Sequence, residues 1–237
     1  MKTFVMGDSH GALKAVRQVL ELAQFDPDTD KLIVLGDTQD GWSEAPALVE
    51  MYMRLETMCG DRFVYLLGNH DTAFIEWYDG GCKRHIMHGH GGAVTTYVYL
   101  QLNEDLIASH AEWLRRQRHC YLDEQNRFFV HAGWDEGYAF DNPAQYSMQE
   151  YLWNRSFWDG MFKGRNYAKD LKEVYIGHSP TIRYKPFTDA PMNRNNVWNL
   201  DTGAAFTGRV TVMDIDSKEY WQSDKCKNLY PLERGRN

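Results

Sequence analysis

The sequence predicts an α/β fold. Short apolar, β-branched runs closed by glycine alternate with helically periodic stretches in the first third, and strand-like runs dominate from residue 119. Residues 2–6, 31–35 and 62–67 read as buried strands. Between the first two, Leu13, Val16, Val19, Leu20 and Ala23 recur at helical spacing. Leu48, Met51, Tyr52 and Leu55 do so before the third, behind Ser43 as a candidate cap. This β-α-β-α-β order calls for a parallel sheet with crossover helices, whose strand C-termini are the usual place for a ligand. Residues 71–118 read as mostly helical, interrupted by Gly80-Gly81 and Gly89-His90-Gly91-Gly92. The helix after Asn103 carries Leu106, Ile107, His110, Trp113 and Leu114 on one side. Strands are expected at 119–123, 127–130, 173–176, 197–200, 208–215 and near 219–222, with an irregular aromatic stretch over 132–168 (Trp134, Tyr138, Phe140, Tyr146, Trp153, Phe157, Trp158, Tyr167). No linker, repeat or low-complexity segment divides the chain, so one domain over 1–237 is expected.

The chemistry-bearing residues stand at the ends of these runs. Gly7-Asp8-Ser9-His10-Gly11, Gly36-Asp37-Thr38-Gln39-Asp40 and Gly68-Asn69-His70-Asp71 each follow an expected strand. His131-Ala132-Gly133 and Gly177-His178-Ser179 repeat the arrangement downstream. Two carboxylates (Asp8, Asp37), one amide (Asn69) and three imidazoles (His10, His131, His178) suit a pair of divalent metals.

Composition narrows the partners. A formal charge of −7, from 33 acidic and 26 basic residues, argues against a general nucleic-acid binder. It is compatible with an anionic substrate once two divalent ions are set against two ligand carboxylates. Arg115-Arg116-Gln117-Arg118, the only compact basic run, reads as a solvated helix end. No apolar run reaches membrane-spanning length, and the first apolar stretch is too short for a signal peptide, so no membrane partner is expected. Cys59, Cys82, Cys120 and Cys226 show no paired spacing, which fits reduced thiols and a cytoplasmic setting.

The five motifs resemble the calcineurin-like metallophosphoesterases, and within them the phosphoprotein phosphatase branch of small bacterial and bacteriophage serine/threonine phosphatases. The family pattern Gly-Asp-x-His-Gly, Gly-Asp-x-x-Asp-Arg-Gly, Gly-Asn-His-Glu, His-[Ala/Gly]-Gly and Gly-His-[Thr/Ser] is met in order with two substitutions. Leu152-Trp153-Asn154-Arg155 and Leu200-Asp201-Thr202-Gly203 extend the match. The resemblance implies a two-sheet β-sandwich flanked by helices, with the metals at one rim. It implies that Asp8 and His10 hold the first metal, that Asp37 bridges both, and that Asn69, His131 and His178 complete the second. Manganese is the first expectation, with iron or zinc compatible. Pro180 stands where many phosphodiesterase relatives have a further histidine ligand.

By the same resemblance His70 is the general acid, Asp40 its orienting carboxylate, and Arg155 a phosphate clamp. Two departures stand out. Asp71 replaces the family glutamate, a conservative change given no functional reading. Gly41 replaces an arginine, so one of two phosphate-clamping arginines is missing from its usual place and its replacement is not legible. An arginine restored at 41 would need space beside Trp42. His85, His88, His90, His110 and His119 match no ligand position and are expected to be ordinary structural histidines. Asp201 is expected to shape the loop behind the metals.

The expected function is hydrolysis of phosphomonoesters (phosphoserine, phosphothreonine, phosphotyrosine and aryl phosphates) by a hydroxide held between the metals. The partner would then be a phosphorylated protein, peptide or nucleotide. The alternatives are a nucleotide-directed hydrolase of the diadenosine tetraphosphatase or 2',3'-cyclic phosphodiesterase type, and a non-catalytic scaffold. Loss of one arginine is expected to narrow the preference for monoesters over diesters.

Overall fold

The computed structural model describes residues 1–135, 147–165 and 168–236. Tyr138, Phe140, Tyr146 and Tyr167 of the expected aromatic stretch lie outside them. In chain order the strands are β1 (Thr3–Met6), β2 (Lys31–Val34), β3 (Phe63–Tyr65), β4 (Cys120–Leu122), β5 (Arg127–Val130), β6 (Glu173–Ile176), β7 (Met192–Arg194), β8 (Val197–Asn199), β9 (Thr211–Asp214) and β10 (Tyr220–Gln222). The helices are α1 (Leu13–Leu22), α2 (Ala45–Cys59), α3 (Asn69–Asp79), α4 (Gly92–Tyr99), α5 (Glu104–Arg115), α6 (Met148–Trp153), α7 (Ser156–Phe162) and α8 (Cys226–Leu229).

The strands form two five-stranded mixed sheets, ordered β10-β9-β1-β2-β3 and β4-β5-β6-β8-β7. Period-2 alternation explains how they face each other. Val5, Ile33 and Val64 point inward to meet Phe129 and Tyr175 of the second sheet and Leu200, which follows β8. Phe129 and Tyr175 stack there with ring centroids 5.0 Å apart. Phe4, Met6, Leu32 and Val34 point outward and pack against residues of α1 and α2, while Phe128, Val130, Val174 and Ile176 meet Phe157 and Trp158 of α7. The chain is thus a β-sandwich with helices outside, and β1, β2 and β3 run parallel, as do β5 and β6.

Three local expectations are corrected. Ser43 does not cap α2, because its hydroxyl donates to Glu233 and no side chain caps that helix. Part of the supposedly irregular 132–168 stretch is α6 and α7. The signal was readable as Ser147-x-x-Glu150, a capping box in which Ser147 Oγ accepts from Glu150 N. The edge strand β7 was missed, being short and polar, and pairs antiparallel with β8. Asn103 caps α5 by accepting from Leu106 N. Arg115 ends α5 paired with Asp79 and Glu112, in keeping with a solvated helix end. All four cysteines are free, and among the described residues no helix is long and apolar enough to cross a membrane.

Candidate metal centre and active site

Because β1, β2, β3, β5 and β6 end at one rim, the residues just beyond them converge. Asp37 lies at the middle. Its Oδ2 is 3.6 Å from His10 Nε2 and 3.4 Å from His131 Nε2, and His10 Nε2 is 3.8 Å from Asp8 Oδ2. Asn69 Oδ1 lies 3.1 Å from His131 Nε2 and 2.9 Å from His178 Nδ1. All six expected ligands are therefore brought together, with Asp37 shared between two groups.

The donor chemistry fits cations. His131 Nδ1 donates to Leu35 O at 2.7 Å and His10 Nδ1 to Gln39 O at 2.8 Å, so each Nε2 is left with its lone pair facing oxygen acceptors. Imidazole, amide and carboxylate lone pairs aimed at one point repel unless a cation lies among them. His131 is pushed up to about 9, because the Asp37 carboxylate beside it outweighs the opposing effect of burial. Burial alone would raise Asp37, but His131, His70 and His10 hold it well below the carboxylate range. Asp8 is raised by burial and by Asp201.

Local backbone geometry explains the glycines of the motifs. His10, Asp37, Asp40 and His178 all adopt positive φ (46°, 56°, 65° and 64°), a left-handed conformation that Asp and His tolerate better than most residues and that costs about 1–3 kcal/mol each. The carboxylates lie directly against glycine. A Cβ at Gly68 would be 2.0 Å from Asp37 Oδ1, and one at Gly177 would be 2.1 Å from Asp8 Oδ1.

Beside this cluster, His70 Nδ1 is 2.7 Å from Asp40 Oδ2. Burial moves the partners in opposite directions, Asp40 up to about 7 and His70 down to about 3, so the sealed pair resists charge separation. Arg155 donates to His178 O at 2.7 Å and lines the same recess as Asp8, Asp37 and His70.

The calcineurin-like phosphoesterase profile matches residues 1–203. The chain belongs to that family. Over 98% of its length it is 26% identical to a symmetrical bis(5'-nucleosyl)-tetraphosphatase of Pseudomonas entomophila, 96% of which is covered. It is equally similar, at 26%, to an asymmetrical bis(5'-nucleosyl)-tetraphosphatase of Bacillus thuringiensis, with 92% of each chain covered. A serine/threonine phosphatase structure from Saccharomyces cerevisiae shares the fold at a TM-score of 0.65 and 12% identity, covering 94% of this chain and 80% of that one.

This phosphoesterase also holds residues near its site that sequence reasoning missed. His85 is buried, with Nδ1 accepting from Met87 N, so its Nε2 carries the proton and lies 3.4 Å from Asp40 Oδ1, the oxygen not used by His70. Arg183 and Arg236 line the recess with Arg155. No motif flags them, because they come from segments outside the five runs. Asp71, given no role above, accepts the N–H groups of Gly68, Asp37, Thr38 and Gln39 and the Tyr65 hydroxyl. His110 meets Tyr99 OH at 3.1 Å, as a structural histidine would, and Asp201 accepts from Gly203 N.

Proposed function

We propose that this phosphoesterase is a two-metal hydrolase of nucleoside polyphosphates of the bis(5'-nucleosyl) tetraphosphate class. The observation that supports it is the gathering of Arg155, Arg183 and Arg236 around a recess that Asp8, His10, Asp37 and His178 also line, a cationic capacity suited to several linked phosphates. The near full-length likeness to two bis(5'-nucleosyl)-tetraphosphatases agrees with it.

Asp8, His10 and Asp37 would hold one cation, and Asp37, Asn69, His131 and His178 the other, with manganese the first candidate. When bound, the two ions supply Lewis acidity and an activated water. His70 lies within 4.8 Å of His10 and Asp37 and could itself be counted a ligand, but its Nδ1 is committed to Asp40. We assign it to proton transfer. With Asp40 at Nδ1, the ring's other nitrogen, Nε2, would deliver its proton to the leaving oxygen. Arg155, pinned by His178 O, orients a phosphate oxygen.

A second reading, hydrolysis of phosphomonoesters on serine, threonine or tyrosine, draws on the Leu152-Trp153-Asn154-Arg155 match to the phosphoprotein phosphatase branch. The manganese-loaded protein should be offered diadenosine tetraphosphate, phosphopeptides, p-nitrophenyl phosphate and its bis ester, with products separated by chromatography. Preferred cleavage of the dinucleotide is expected, and two ADP or ATP plus AMP will report symmetrical or asymmetrical attack. Higher kcat/KM on phosphopeptides would replace the first reading by the second, and inertness towards all of them would reject both.

A further inference from the structure

We propose that Arg236 is a phosphate-binding arginine of this site, delivered by the segment 225–236 in place of the side chain that Gly41 lacks; the proposal rests on the phosphohydrolase reading above. Gly41 is closed to any side chain, because a Cβ there would lie 2.7 Å from His10 O and 2.9 Å from His10 Cβ. The residues that follow it serve instead as a platform for the distant segment. Tyr230 stacks on Trp42 with centroids 5.1 Å apart, and its hydroxyl meets Glu44. The Glu233 carboxylate accepts from Ser43 N at 2.9 Å and Ser43 Oγ at 2.8 Å. Gly235, at φ +60°, lies so close to the Trp42 ring that a Cβ would be 2.8 Å from it, and Arg236 N donates to Ala205 O at 2.8 Å.

These contacts fix where the next side chain goes. A Cβ at Gly91 would be 2.9 Å from Gly41 N and 3.0 Å from Arg236 Cγ, so the stem of Arg236 passes beside the position from which an arginine is missing. Its guanidinium carbon lies 5.2 Å from the Phe206 ring centroid, and the side chain lines the recess with Asp8, Asp37, His70 and Arg155. The guanidinium makes no hydrogen bond or ion pair to any described residue, and its Nε is buried without a partner. A planar fork of five donors left unspent in a polar recess is matched by tetrahedral phosphate oxygens. The competing role is electrostatic: Arg236 could merely offset the nearby carboxylates Asp8, Asp37, Asp40 and Asp201.

Inorganic phosphate separates the two. In the manganese-loaded full chain, Arg236→Ala should raise the phosphate inhibition constant and the calorimetric dissociation constant by about 10- to 100-fold, the scale of a lost charge-assisted hydrogen bond. Manganese content and melting temperature should stay unchanged. Arg236→Lys, which restores a point charge without the fork, should recover only part of the affinity. Unchanged phosphate affinity in Arg236→Ala overturns the proposal, and altered manganese affinity alongside it identifies Arg236 as a counter-charge for the carboxylates. Wild-type protein that neither binds phosphate nor hydrolyses any substrate rejects the phosphohydrolase reading as well. Wild type that does both, beside an unaffected Arg236→Ala, rejects the Arg236 assignment alone.

Discussion

Asp71 Oδ2 accepts the backbone N–H of Asp37 at 2.9 Å, so the carboxylate at the start of α3 fixes the residue at the centre of the candidate metal groups. It also takes the N–H groups of Thr38, Gln39 and Gly68, which holds the 36–39 turn with Gly36 and Asp37 at positive φ. Asp71→Ala would leave several buried donors unpaired, at a cost of about 3–5 kcal/mol of stability. Chemical denaturation of the metal-free protein should show this loss, and metal affinity should fall with it. A stable Asp71→Ala that binds manganese normally would mean that the turn is held by other contacts.

Asp37 Oδ2 faces both His10 and His131, and its removal should affect two ions at once. Asp37→Asn is expected to lower activity by orders of magnitude and to reduce bound metal below two ions per chain in elemental analysis. A chelator should abolish wild-type hydrolysis, and manganese should restore it more fully than magnesium, which imidazole ligands suit poorly. Normal turnover with two tightly bound ions in Asp37→Asn would rule out its bridging position.

His70 and His85 face opposite oxygens of Asp40. If His70 protonates the leaving group, His70→Asn should slow poor alkoxide leaving groups by about 10²–10⁴-fold and aryl phosphates far less. The sequence alone made His85 an ordinary structural histidine, whose loss would leave catalysis nearly unchanged. The contact with Asp40 now predicts a smaller loss with the same leaving-group dependence and a shifted pH profile. Equal losses on alkyl and aryl substrates would assign both histidines to packing.

Space at position 41 is controlled by His10, not by Trp42 as the sequence suggested. Gly41→Arg should therefore displace the His10 backbone and weaken metal binding rather than restore a phosphate clamp. Manganese titration would show this, and normal affinity with improved KM would contradict it.

The α/β class and the six candidate ligands were legible because both are local properties. A buried strand is a short apolar run, its end is marked by glycine, and the ligand is the next residue, as in Gly36-Asp37 and Gly177-His178. The capping box at Ser147 and Glu150 was legible too and was overlooked beneath the aromatic residues around it. What no local pattern contains is which remote segments share a wall of the site. His85 reaches Asp40 because the glycine-rich 80–92 segment folds back over the 36–41 turn, and Arg236 reaches the recess because Tyr230 and Glu233 anchor on Trp42 and Ser43. The sequence alone determined the strands other than β7 and the candidate ligand residues at the ends of five of them. Tertiary packing alone decided that His85 joins His70 beside Asp40 and which arginine stands beside Gly41, since those choices depend on long-range burial and steric exclusion rather than on spacing along the chain.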